Sequence, residues 1–175
     1  MGSITNDFSV SGVSEYCFTL DDTDQASRFQ QELFNAFLKI KASDSGAPLR
    51  ITIVGGGATG VELAAELYKT TDSLHAYGFS NVSRNTLEIN VIEASDRLLG
   101  VLPVHISRKA TKVLSELGAK ILTRTIVKAV DQDGVQINND ERIEADAVIW
   151  CAGVKCHEAL NNIGGLSTNK NNQIV

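Results

Sequence analysis

The stretch that decides the fold is Leu49 to Leu67, LRITIVGGGATGVELAAEL. It opens on the β-branched run Ile51-Thr52-Ile53-Val54 and passes through Gly55-Gly56-Gly57-Ala58-Thr59-Gly60. It continues with Val61, Ala64, Ala65 and Tyr68 at helical spacing. Strand, tight glycine turn and helix N-terminus, in that order, are the context of a GxGxxG dinucleotide fingerprint. Gly55 permits the sharp turn. Gly57, lacking a Cβ, lets a pyrophosphate approach the backbone. Gly60 lets the helix pack close to the strand, helped one turn later by the small Ala64. The helix start adds unpaired N–H groups and the positive end of its dipole.

The next strand read from the sequence is LEINVIE, 87–93, and it ends in an acid. At a strand tip beside the glycine turn, the Glu93 carboxylate can accept both hydroxyl protons of an adenosine ribose. It would repel a 2′-phosphate, which favours NADH over NADPH. The interval from Gly60 to Glu93 is longer than the roughly 20 residues such sites usually have. The polar segment 75–85 accounts for the excess as helix tail and loop. Against this stands Glu93 as a solvated strand-end acid, with nearby Arg97 as a residue that would serve a 2′-phosphate instead. Glu62, on the first turn of the fingerprint helix, has two readings: a carboxylate complementing the helix dipole, or a group beside a nicotinamide.

Upstream, 22–42 reads as a helix. Asp22 and Gln25 have capping-box spacing, and Ala26, Phe29, Leu33, Ala36, Phe37 and Ile40 form one apolar face. Phe29, Phe34 and Phe37 read as core or as an inter-domain face. Residues 43–48 are a turn-rich linker. Residues 1–20 read as a loop leading into a short strand that belongs to a neighbouring domain. Downstream, Pro103 precedes a third helix with Ile106, Ala110, Val113, Leu114 and Leu117 on its face. Gly118 stops that helix, and a third parallel strand follows at 120–124. The period then changes. Runs at 126–130, 134–137 and 141–144 alternate and are joined by Asp-Gly and Asn-Asn turns. A buried strand, AVIW, leads into Cys151-Ala152-Gly153, and a loop-rich tail carries Gly164-Gly165 and a last strand beginning near Gln173. The fold class is therefore α/β, a Rossmann-like parallel sheet with an antiparallel three-stranded β-meander as one crossover. The divisions expected are a linker and strand at 1–20, a helix and linker at 21–48, a nucleotide-binding domain at 49–154 and a return segment at 155–175.

Composition removes several function classes. The 175 residues are 43% hydrophobic and 21% charged, as in ordinary globular chains, and the net charge is −5. That balance argues against a nucleic-acid partner and against a polybasic membrane patch. No apolar run approaches the roughly 18 residues of a membrane span. The opening MGSITNDFSV lacks the basic and apolar regions of a signal peptide. The 3 cysteines are an odd set that suits a reducing cytoplasm. Cys151 and Cys156 have the CxxxxC spacing of a flavin-proximal redox pair. They straddle a strand end and a loop, however, so a core Cys151 and a loop Cys156 is the simpler reading. With His157 only three ligands cluster, and no metal site is expected. His75 and His105 have no catalytic partner in view.

Taken together, GGGATGVELAAEL (55–67), VIEASDRLL (91–99), LSELGAKILT (114–123), the meander and ADAVIWCAGVK (145–155) closely resemble type II NADH dehydrogenases. These are flavin-dependent NADH:quinone oxidoreductases of the FAD-dependent pyridine nucleotide-disulfide oxidoreductase superfamily. The opening GSITNDFSVSGVSEYC (2–17) is similar to the segment that precedes the NADH domain in that family. The resemblance implies that Gly55, Gly56, Gly57, Ala58, Thr59 and Gly60 line the pyrophosphate, that Glu93 holds the ribose, and that Glu62, Ala152 and Gly153 lie by the nicotinamide. It implies FAD in the full-length enzyme, with its site outside this chain, and hydride transfer from NADH to FAD and then to quinone. It further implies a peripheral enzyme on the cytoplasmic face of the inner membrane, attached through C-terminal parts absent here, with a homodimer as one arrangement open to it. Cys151 and Cys156-His157 stand where the family usually has small residues or proline. The rival readings are a non-catalytic NAD(H)-binding regulatory or interaction module, and another flavoprotein reductase of the same superfamily.

Overall fold

The computed structural model describes residues 3–42, 47–74, 77–79, 82–138, 140–156, 167–169 and 173. His75, His157, Gly164-Gly165 and most of the expected last strand lie outside the described residues. The element order is β1 (Ser3–Thr5), α1 (Val13–Tyr16), β2 (Cys17–Phe18), α2 (Thr23–Ala42), β3 (Leu49–Val54), α3 (Ala58–Leu74), β4 (Leu87–Glu93), α4 (Val104–Leu117), β5 (Lys120–Thr123), β6 (Val127–Asp131), β7 (Gly134–Ile137), β8 (Arg142–Glu144), β9 (Ala147–Trp150) and β10 (Val154–Cys156), with a 3-10 turn at Arg84–Thr86 before β4.

The main sheet has five strands in the order β2-β9-β3-β4-β5, and its pairings are parallel. The Rossmann-like sheet expected from the sequence is thus present. So is the antiparallel meander β6-β7-β8. Alternation along the strands sorts the core into two layers, as a period of two requires. Ile51, Ile53, Ile89, Val91 and Ile149 face α2, α3 and α4, where they meet Phe29, Ala64, Leu67, Tyr68 and Leu114. Val54, Ile92, Val148 and Trp150 face the other way, onto Val127, Val130, Val135 and Ile137 of the meander and Val13 of α1. The meander therefore covers the face that a crossover helix would otherwise cover.

Several local expectations need correction. Asp22 caps α2 by accepting from Gln25 N at 2.8 Å, but the Gln25 side chain accepts from Thr19 Oγ1 instead of closing a capping box. On α4, Ile106 and Val113 are exposed; Ser107 and Leu114 are its buried residues, so the buried stripe is rotated from the one read as apolar. Ala26 of α2 is exposed. The polar segment before β4 holds two apolar anchors: Phe79 and Val82 are buried against Phe37. They pin the long connection that separates α3 from β4.

Residues 1–20, read from sequence as part of a neighbouring domain, pair with this one along two strands, and Val13 packs onto the meander. Cys17–Phe18 is the edge strand beside β9, and Ser3–Thr5 pairs antiparallel with Val154–Cys156. The segments that lead into and out of the five-stranded sheet are thereby laid side by side. Among the described residues no helix is long and apolar enough to cross a membrane.

Candidate functional site

The C-terminal ends of β3, β4 and β9 meet at the glycine turn. Gly55 has φ of 117°, and a Cβ built on it would lie 2.7 Å from the backbone of Cys151 and Ala152. A Cβ on Gly60 would lie 2.0 Å from Gly55 O. Both positions are closed to any side chain by the protein itself. Gly57 differs: a Cβ there would meet nothing within 4 Å. A Cβ on Gly56 would lie 2.9 Å from Glu93 Cβ, so the turn has three glycines crowded by the protein and one, Gly57, that keeps a space open. Gly57, Ala58 and Thr59 are exposed, and Val61 N donates to Gly57 O at 3.1 Å, so the helix starts at this lip. The earlier N–H groups of its first turn have no intrahelical acceptor. Open space above donors at a helix N-terminus fits a pyrophosphate.

Glu93 sits across the turn. One carboxylate oxygen accepts from Gly56 N at 2.8 Å and the other from Ser95 N at 2.7 Å. These backbone donors fix the carboxylate at the tip of β4. The turn is tied down further by Gly55 N to Ile92 O at 2.8 Å and Leu99 N to Gly56 O at 2.7 Å. Arg97 is engaged within its own loop, donating to Gly100 O at 2.6 Å and pairing with Asp96 at 3.6 Å.

On the other side of β3, Cys151 N donates to Val54 O at 2.7 Å and continues the sheet into Ala152-Gly153. The Trp150 indole N–H donates to Asn6 O at 3.0 Å and to Ala152 O at 3.2 Å. A cavity of about 450 Å³ joins these parts. It is lined by Gly55, Gly57, Glu93, Cys151, Ala152 and Gly153, together with Phe8, Val10, Thr125, Ile126 and Trp150. The sequence does not single out the last five as site residues. They come from three separate places in the chain, and only the exposed Phe8 behind an Asn-Asp pair carries a signal. Glu62 is exposed on α3, one turn beyond the lip, and is not in the wall of this cavity.

Burial raises the Cys151 thiol to about 11 and the Cys17 thiol to about 12. Both stay protonated at neutral pH, a poor state for thiolate redox chemistry. Among the described residues no three His, Cys, Asp or Glu side chains gather as metal ligands.

The family model for pyridine nucleotide-disulphide oxidoreductases matches residues 1–175. The chain belongs to this family. Among curated relatives, the type II NADH:quinone oxidoreductase of Haemophilus influenzae is 35% identical, over all of this chain and 43% of that protein. A probable NADH dehydrogenase of Dictyostelium discoideum is 29% identical over 93% of this chain and 37% of its own length. Among solved structures, NDH2 from Plasmodium falciparum in complex with NADH superposes with a TM-score of 0.80 at 24% identity, covering 90% of this chain and 34% of that one. A ferredoxin reductase from Rhodopseudomonas palustris follows at TM-score 0.75 and 17% identity, covering 99% of this chain and 38% of its own. This family member thus spans less than half the length of these relatives.

Proposed function

We propose that this chain is the NADH-binding part of a flavin-dependent NADH:quinone oxidoreductase. The observation that carries the reading is the pairing of Gly57, whose missing Cβ leaves open space, with Glu93, whose carboxylate is fixed across the same turn. The first receives a pyrophosphate; the second accepts from the adenosine ribose and repels a 2′-phosphate. Gly55, Gly56, Ala58, Thr59 and Gly60 complete the phosphate cradle. Ala152 and Gly153 form the nicotinamide side, with Glu62 near its approach.

The chemistry follows from placement. FAD, when bound, supplies the hydride acceptor. This chain's residues hold the dinucleotide with its nicotinamide half directed past β9 and shield that half from water with apolar side chains. We place the flavin site, the quinone site and any membrane contact in the part of the relatives' length that this chain does not span. The purified chain should then be colourless, and a yellow preparation would contradict that placement. The fold alone does not separate quinone reductases from ferredoxin reductases, since both kinds of structure superpose. The curated relatives favour the quinone enzymes.

Calorimetric titration of the folded chain tests the reading. NADH should bind, and NADPH should bind at least about tenfold more weakly, because a 2′-phosphate would face the Glu93 carboxylate. No heat with NADH at millimolar concentration would overturn it.

A further inference from the structure

Phe8 is a large apolar ring held out of the core. It is 59% exposed, yet the turn that carries it is closely specified. The backbones of Phe8 and Ser9 both lie in the left-handed region, with φ of 50° and 58°. That conformation is costly for residues with a Cβ and persists where the surroundings enforce it. Here they do. Asn6 Oδ1 accepts from Phe8 N at 3.0 Å, Asp7 Oδ1 accepts from Ser9 N at 3.2 Å, and Val10 N donates to Asp7 O at 3.0 Å. Asn6 is in turn tied to the end of β9, through its N–H to Gly153 O at 3.4 Å and its carbonyl to the Trp150 indole at 3.0 Å. The ring lies over Gly153: a Cβ there would be 2.4 Å from Phe8 Cζ.

The turn therefore presents an aromatic ring at the wall of the cavity that also contains Gly57 and Glu93. Strand order decides which end of that cavity it serves. β3, with the glycine turn, lies between β4, which ends in Glu93, and β9, which leads to Gly153. A dinucleotide with its pyrophosphate on the turn and its adenosine ribose on Glu93 sends its other half toward β9, where Phe8 stands. We infer that Phe8 is the aromatic wall against which the nicotinamide ring stacks, positioned by the Asn6–Trp150–Gly153 contacts. This rests on the dinucleotide reading above. Stacking on a planar ring is favourable and an apolar wall keeps water from that side of the ligand.

The test is calorimetric titration of the 175-residue chain and its Phe8→Ala and Phe8→Leu variants with NADH and, separately, with ADP-ribose, which has the adenosine and pyrophosphate but no nicotinamide. Phe8→Leu keeps an apolar side chain in the turn, so it carries the test where Phe8→Ala fails to fold. Both variants should bind NADH about 3- to 10-fold more weakly and ADP-ribose within about 2-fold of the wild type. Phe8→Tyr should retain NADH affinity. Unchanged NADH binding in the variants, or an equal loss for both ligands, overturns the role of Phe8 and leaves the dinucleotide site standing. A wild-type chain that binds neither ligand removes the site, and Phe8's role with it.

Discussion

The two ends of the cavity are built in different ways. The end proposed for the pyrophosphate comes from one continuous stretch, Leu49–Leu67, plus a single acid at the tip of the next strand. Gly60 is required by an approach that is local in sequence, to Gly55 O, while Gly55 is closed by the backbone of Cys151 and Ala152. The end proposed for the nicotinamide is assembled from residues 6–10, 125–127 and 150–153, brought together only when β9 has found its place beside β3 and the N-terminal turn has docked on Trp150. The first end can be written into a short motif. The second exists only through strand register and long-range hydrogen bonds.

That difference can be broken at graded points. The largest effect is expected from Gly60→Ala. Its Cβ would sit 2.0 Å from Gly55 O, and helix and strand must separate to admit it. A destabilisation of about 2–4 kcal/mol is predicted, read as a fall in the urea midpoint. Gly57→Ala should do the opposite. With nothing within 4 Å of the new methyl, stability should stay within about 0.5 kcal/mol. NADH affinity should fall roughly 5- to 150-fold as the methyl fills the pyrophosphate space. If the two variants behave alike, the distinction between glycines kept for the fold and a glycine kept for the ligand is wrong.

Next comes Glu93→Arg. It removes the acceptor held by Gly56 and Ser95 and places a cation at the ribose, so preference should move from NADH toward NADPH by about tenfold or more. Paired titrations with the two nucleotides measure this, and an unchanged ratio would take Glu93 out of the ribose site.

The smallest effect concerns two thiols, Cys151 in the cavity wall and Cys17 in β2. Cys151 and Cys17 are raised by burial from 9.0 to about 11 and about 12. The folded state therefore holds thiol protons that the unfolded state has released. This contribution to stability is fully present below about pH 9 and is lost as pH rises toward 11–12. Between about pH 8 and about pH 10 the urea midpoint should fall more for the wild type than for the Cys17→Ser, Cys151→Ser double variant. Equal slopes would mean that the thiols titrate as free groups.

The same contrast explains which parts of the molecule are legible in the sequence. The β3–turn–α3 unit, the alternating meander and the strand ending in Glu93 follow from β-branching, period and glycine chemistry, which act over a few residues. The α4 stripe is not legible in this way, because apolar content alone selects Ile106 and Val113, whereas packing buries Ser107. The anchors Phe79 and Val82 hide in a segment that reads as polar on average. Phe8, Val10, Thr125 and Ile126 share no local pattern, since what unites them is a cavity wall made by distant segments.

An NADH molecule bound in this cavity as proposed has its nicotinamide end beside Trp150, the sole tryptophan of the chain. Tryptophan emission overlaps the absorption of dihydronicotinamide, so fluorescence of the chain during NADH titration reports binding beside Trp150 directly. Trp150 emission should fall saturably while emission from bound NADH rises, and excess ADP-ribose should reverse both changes. Trp150 emission that stays constant up to millimolar NADH, or quenching that ADP-ribose does not reverse, would mean that NADH does not occupy this cavity.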